Sequence, residues 1–239
     1  MKVEIWSDIF CPFCYIGKRK FELALKEFDK KEEVEVIYRS FELNPNAPKS
    51  YDKNIHELIA SKYGITYEEA KLNNDNIVKQ AKGLGLEYNF DTLIVTNSFD
   101  AHRMIHFSDK YGKMQEMTEA LFKAYFTESK DVSDFNTLVG IAISIGLNKD
   151  EALNMLNCND YKDSVRKDEE MAGHYGISSV PFFIFNDKFS VSGAQPTEMF
   201  LMALNKSMED EKSFIDLNKK NSEDSEENKN VCVDGSCKI

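Results

Sequence analysis

Residues 2–14, KVEIWSDIFCPFC, decide the fold. Lys2 to Ser7 alternates polar and apolar side chains, the period-2 signature of a strand. The chain then turns through Asp8-Ile9-Phe10 into Cys11-Pro12-Phe13-Cys14, and Ile16, Phe21, Leu25 and Phe28 recur near helical spacing over residues 15–28. Pro12 suits the first turn of a helix, where its missing N–H costs little. A second strand, residues 34–41 (VEVIYRSF), follows. The cysteine pair therefore falls at a strand-to-helix junction. There the first thiol lies among unpaired helix N–H groups at the positive end of the helix dipole, which favours its thiolate. The second, three residues on, is close enough to attack a mixed disulfide formed at the first. Cys11 is the expected nucleophile and Cys14 the expected resolving thiol. Phe13 between them offers a thiolate neither a hydrogen bond nor a charge, so a moderate rather than strongly oxidising couple is expected.

Zinc is the competing use of such a pair. It needs three or four ligands, and the remaining candidates are Cys158, the scattered His56, His102, His106 and His174, and the distant Cys232 and Cys237. No second Cys-x-x-Cys exists. His102 and His106 stand four apart on a predicted helix without a third ligand at suitable spacing, so packing or surface roles are expected for them and no metal site is expected. Cys158 reads as a small, partly buried side chain.

Outward from this core, the strand signal fades between about residues 50 and 175. Helical periodicity runs through 55–63, 67–84, 97–111, 114–126, 134–145 and 149–155, with Gly64, Gly85, Gly112 and Gly146 as terminators. Strands resume at 181–185 and 189–191, separated by the turn pair Asn186-Asp187, and a last helix is expected over 197–208. Pro181 reads as the opening residue of its strand. Residues 209–239 hold 9 acidic and 5 basic side chains and few apolar ones, too few to offset the entropy of ordering. The organisation expected is a first sheet segment over 1–48, a helical insertion over 49–176, a return to the sheet over 177–208, and a mobile acidic tail over 209–239.

Composition excludes several classes. The 239 residues are 42% hydrophobic, enough for an ordinary core, and five cysteines are too few for a disulfide scaffold. A net charge of −11 argues against nonspecific binding of nucleic acid or anionic membranes. No apolar run is long enough to span a bilayer, and the N-terminus lacks the apolar stretch of a signal peptide. A cytoplasmic protein with no nucleic-acid or membrane partner is expected.

The combination of Cys11-Pro-Phe-Cys14 after a first strand, a helical insertion, and Val180-Pro181 opening a later strand resembles the DsbA-type thioredoxin-fold oxidoreductases. More closely, Phe41-Glu-Leu-Asn-Pro45, Asn97-Ser-Phe-Asp-Ala-His-Arg103, Ala124-Tyr-Phe-Thr127, Gly176-Ile-Ser-Ser-Val-Pro-Phe-Phe183 and Ser192-Gly-Ala-Gln-Pro196 resemble the FrnE-like branch. The resemblance covers residues 1 to about 205. It implies an α/β thioredoxin-like fold with a large all-helical insertion domain, Cys11 and Cys14 as the redox pair, and a cis Pro181 facing them. Val180 and Pro181 would then present backbone to an extended substrate segment, as in strand addition. Phe10, Pro12 and Phe13 form an apolar collar for that substrate, and Asn44, Asn97 and Gln195, which sit in the resembling motifs, are candidates for a cleft between the domains.

Some FrnE-like proteins carry a C-terminal Cys-x4-Cys, which Cys232 and Cys237 match. As a flexible coil, the span from Met208 to Cys232 covers about 27 Å, so a second redox pair exchanging electrons with the first is one reading, and an adventitious surface pair is the other. The function expected is thiol–disulfide exchange on protein or peptide substrates. No cofactor is bound; small thiols such as glutathione serve as co-substrate and a reductase as partner. Two other classes stay open. One is a glutathione-dependent isomerase or transferase, like the 2-hydroxychromene-2-carboxylate isomerases and kappa-type transferases of similar architecture, which usually have serine at the position of Cys11. The other is a redox-sensing chaperone or binding protein.

Overall fold

The computed structural model describes residues 1–223, with side chains through Asp210. Cys232, Cys237 and the rest of the acidic tail's end lie outside the described residues. The chain enters as β1 (Lys2–Ser7), crosses through α1 (Pro12–Glu27) and returns as β2 (Glu35–Ser40), parallel to β1 with Val3 opposite Val36. After seven helices it comes back to the sheet as β3 (Phe182–Phe185), antiparallel to β1 with Ile5 opposite Phe183, and β4 (Phe189–Ser192) pairs with β3. The strand order is β2-β1-β3-β4.

β1 is central and both of its faces are covered, so its alternation separates two interiors rather than core from solvent. Val3 and Ile5 share a core with Phe21 of α1 and with Phe200 of α9 (Thr197–Glu223). The rings of Phe183 and Phe200 there sit 4.6 Å apart, in an edge-on arrangement. On the other face Trp6 packs with Ala172 of α8 (Lys162–His174) and Ile184, and its indole Nε1 donates to the Asp168 carbonyl at 3.0 Å. Glu4, which alternation alone would turn outward, is buried and paired with Arg39 of β2; Arg39 also meets Asp168 of α8. A buried carboxylate is tolerable only because it is paired in this way.

The insertion comprises α2 (Ile55–Tyr63), α3 (Tyr67–Lys82), α4 (Phe99–Asp109), α5 (Met114–Phe126), α6 (Phe135–Ser144), α7 (Lys149–Asn157) and α8. Asn54 and Thr66 open α2 and α3 with reciprocal capping boxes to Glu57 and Glu69. Gly64, Gly85, Gly112 and Gly146 all take positive φ at the chain reversals expected of them. α8 escapes the periodic reading because its sequence is mostly charged and only Val165, Asp168 and Ala172 form a buried stripe. Fully buried Arg103 joins α4 to the end of α7: its guanidinium donates to the carbonyls of Met155, Cys158 and Asp160 and to the Asp100 carboxylate, at 2.6–2.9 Å. α9 continues past Met208, where the last helix was expected to end, because residues 197–234 contain neither glycine nor proline to stop it.

Cys158 corrects the sequence reading. It is exposed rather than partly buried, since it caps the C-terminus of α7 with its Sγ 3.2 Å from the Met155 carbonyl. Among the described residues no helix is long and apolar enough to cross a membrane.

Candidate active site

Cys11 occupies the N-cap of α1, Pro12 follows at the first helical position, and no side chain caps the helix. The Cys11 sulfur therefore stands at the positive end of the α1 dipole, while the Cys14 N–H closes the first turn onto the Cys11 carbonyl at 2.9 Å. Both cysteines are free thiols, with Cys11 at 5% exposure and Cys14 at 1%. The Cys11 Sγ lies 3.6 Å from the carbonyl oxygen of Val180, and the Val180–Pro181 bond is cis, as the resemblance implied. Burial pushes the Cys14 thiol well above its ordinary range, and hydrogen bonding and charge from Cys11 push the same way; the Asp8 backbone N–H and the Ser7 hydroxyl oppose them. The pair is asymmetric. One sulfur sits at the mouth of the site beside an acceptor carbonyl, and the other waits behind it as a thiol.

Side chains that the motif does not reveal hold this geometry. Asp8 accepts from the backbone N–H groups of Phe10, at 3.2 Å, and Leu43, at 2.7 Å, tying the turn before Cys11 to the segment after β2. Behind it the buried His102 Nε2 stands 3.5 Å from Asp8 Oδ1. Glu42 lies close by; burial raises its pKa, while the charges of His102 and Arg166 hold it down. The Tyr88 hydroxyl donates to the Pro12 carbonyl at 2.8 Å, and burial raises its pKa far above the usual phenol range. Gly17 permits the approach of α1 to the loop: a Cβ there would lie 2.9 Å from Pro181 Cγ. Asp8 is three residues from Cys11 and was visible as a turn residue; Tyr88, His102 and Gly17 gain their roles from segments far apart in sequence.

The other candidates separate. Phe13 is 41% exposed and lines, with Phe10, Cys11, Pro12 and Asn44, a cavity of about 780 Å³ toward the helical domain. Asn97 instead braces a loop, donating from Nδ2 to the Ala47 carbonyl at 2.8 Å and accepting the Phe99 N–H at 2.9 Å. Gln195 bonds the Ser192 carbonyl at the turn into α9, and neither residue lines the cavity. His106 faces Asp168 and Ser40 while His102 faces Asp8, so they do not converge, and among the described residues no group of three His, Cys, Asp or Glu side chains could hold a metal.

Comparison with known proteins agrees with the fold. The model of the DSBA-like thioredoxin domain family matches residues 2–205. The uncharacterized protein YwbO of Bacillus subtilis is 29% identical over 206 residues, 84% of this chain and 94% of that protein. A crystal structure of a probable DsbA oxidoreductase from Streptomyces coelicolor superposes with a TM-score of 0.83 at 38% identity, over 87% of this chain and 90% of that one. A solved structure of the cytosolic disulfide reductase DsbM from Pseudomonas aeruginosa with GSH shares the fold at 13% identity with a TM-score of 0.63, over 87% of this chain and 100% of that one.

Proposed function

Because the chain belongs to the DSBA-like thioredoxin domain family, we propose that it is a thiol–disulfide oxidoreductase in which Cys11 is the nucleophile and Cys14 the resolving thiol. The observation that carries this reading is the asymmetry of the pair: Cys11 at the helix N-terminus, 3.6 Å from the Val180 carbonyl, with Cys14 buried behind it.

In the reducing direction the Cys11 thiolate attacks one sulfur of a substrate disulfide, and the other sulfur leaves as a thiolate and takes a proton from water. Cys14 then gives up its proton and attacks the Cys11 sulfur. The Asp8 N–H and the Ser7 hydroxyl favour the thiolate that this step requires. The second substrate thiolate leaves, and two electrons have passed from the dithiol to the substrate. A small thiol such as glutathione, or a reductase, resets the pair; oxidation of a substrate is the reverse. The backbone at Val180 and Pro181 is suited to steer an extended substrate to Cys11. Cytoplasmic residence fits this assignment, since an exposed free thiol at Cys158 persists in a reducing compartment. Cys232 and Cys237 are assigned as a second pair that relays electrons; replacing both with serine should slow turnover with at least one reductant, and unchanged turnover throughout removes that role.

Insulin reduction with dithiothreitol tests the main assignment. Wild type accelerates it, and Cys11→Ser and Cys14→Ser each abolish the acceleration. Activity toward glutathione conjugates that survives Cys14→Ser assigns the site to an isomerase or transferase instead, and disulfide-dependent binding without turnover assigns it to a sensor.

A further inference from the structure

Among the described residues the apolar stripe of α2 is only partly covered by protein: Ile55 touches the core, and the rest of the stripe faces open space. Ile55, Leu58 and Ile59 recur at helical spacing on one face, yet all three are only half-buried, and His56 is the helix's one buried residue. The helix is held from behind instead. His56 Nδ1 lies 2.9 Å from Asn74 Nδ2 on α3, and its Nε2 lies 3.1 Å from Asp91 Oδ1 in the short turn Phe90–Thr92. A buried imidazole spent on fixing a helix back keeps the front open. That front forms one wall of the cavity of about 780 Å³. Phe90, Leu93, Tyr125 and Phe126 form the other, and Cys11 and Phe13 are at its thioredoxin-domain end.

We propose that this cavity holds the apolar body of a small-molecule disulfide whose sulfur–sulfur bond is presented to Cys11, an inference that rests on the thiol–disulfide reading above. The volume falls within the ~300–1,000 Å³ of small-ligand sites, and the walls follow their usual chemistry, mostly apolar with a few polar groups, here Asn44, Lys62, Asn73, Asn74 and Thr96. A polypeptide substrate would run along Val180 and Pro181, and neither residue lines the cavity. The reaction balances as the proposed cycle does. Cys11 Sγ bonds the apolar half and the other half leaves as a thiol; Cys14 then closes the Cys11–Cys14 disulfide and frees the apolar thiol, and two small-thiol equivalents restore the dithiol.

The test uses the full chain and Ile59→Trp, which fills the cavity from the α2 wall. The substrates are the mixed disulfide of (2-naphthyl)methanethiol with cysteine, an alkyl thiol chosen so that leaving-group acidity does not favour it over cystine, together with cystine and insulin, and the non-reducible ligand is S-(2-naphthylmethyl)cysteine. Wild type should turn over the naphthyl disulfide at least tenfold more efficiently than cystine. Ile59→Trp should raise KM for the naphthyl substrate tenfold or more and leave cystine and insulin within about twofold. Calorimetry should show the thioether binding wild type and losing at least tenfold in affinity in the variant, a readout that stands even if no disulfide is turned over and the oxidoreductase reading fails. Absence of thioether binding overturns the proposal. So does a parallel loss of insulin turnover in Ile59→Trp, which would give the cavity to an apolar side chain of a polypeptide.

Discussion

Gly17→Ala sets two effects of opposite sign against each other. Gly17 lies inside α1, and in an unobstructed helix alanine is more stable than glycine by about 0.8–1.0 kcal/mol. Here the added Cβ would lie 2.9 Å from Pro181 Cγ and 3.5 Å from both the Ala194 Cα and the Phe183 ring. Carbon atoms rest at about 3.5–4.0 Å, so the methyl overlaps a ring carbon that cannot rotate away, and such overpacking costs about 1–3 kcal/mol. The sum is a destabilisation of about 1 kcal/mol. With a urea m-value of about 3 kcal/mol/M, that lowers the unfolding midpoint by about 0.3 M. Activity should suffer more, because relief comes by pushing the Val180–Pro181 loop away from Cys11, and a misplacement of about 1 Å at a reacting centre can cost ~10²-fold. A fall of about tenfold in kcat/KM for insulin reduction is expected. Gly140→Ala is the internal control: it is also helical, in α6, and nothing lies within 4 Å of its Cβ, so this variant should gain about 0.8–1.0 kcal/mol and keep full turnover. If Gly17→Ala gains as much as Gly140→Ala and turns over normally, the close approach of α1 to Pro181 has no functional weight.

Other outcomes follow from the same site. Phe13→His puts an imidazole between the cysteines; a charge-assisted hydrogen bond to a thiolate, worth about 1.5–3 kcal/mol, stabilises the reduced form and should raise the two-electron potential by about 30–65 mV in equilibration with glutathione, whereas an unchanged potential would place the new ring away from Cys11. Cys14 binds its proton more tightly folded than unfolded, so reduced protein has that contribution in full below the ordinary thiol pKa of 9.0 and loses it as pH rises further. Between pH 8 and 10 reduced wild type should lose stability in urea unfolding, and Cys14→Ala should lose less, because only the alkaline losses of buried Tyr15 and Tyr88 are common to both proteins; equal losses would refute the assignment. Arg103→Met leaves the Asp100 carboxylate with only exposed Lys49 as a cationic partner and strands the carbonyls at the end of α7, and should cost about 3–5 kcal/mol, while molecules that remain folded keep their insulin activity. A cost below about 1 kcal/mol would mean that water replaces the guanidinium.

The strand–cysteine–helix start was legible because each of its signals is local: alternation, then proline at a first helical turn, then helical spacing. The same holds for the positive-φ glycines and the Asn186-Asp187 turn between β3 and β4. What was not legible depends on partners distant in sequence. Glu4 looked like the solvent side of a strand, and only Arg39 and α8 reveal a second interior. Gly17 has no side chain to announce a role, and nothing near Tyr88 in sequence points to the Pro12 carbonyl it bonds. Cys158 was placed inside on the general habit of free cysteines, whereas its position at the end of α7 turns the sulfur to a backbone carbonyl at the surface. The cavity wall on α2 was legible only as a helix, because the spacing of Ile55, Leu58 and Ile59 does not say whether protein or ligand covers them.

The position of β1 in the sheet has a consequence for how the protein is made. β1 and Cys11 leave the ribosome long before the strand that closes the other edge of β1 and the carbonyl that faces Cys11, which follow about 170–180 residues later. At ~5–20 residues per second, synthesis leaves that edge and those thiols uncovered for roughly 10–35 s. During that interval the nascent chain presents an unpaired strand edge next to two unguarded sulfurs, a combination open both to aggregation and to premature oxidation.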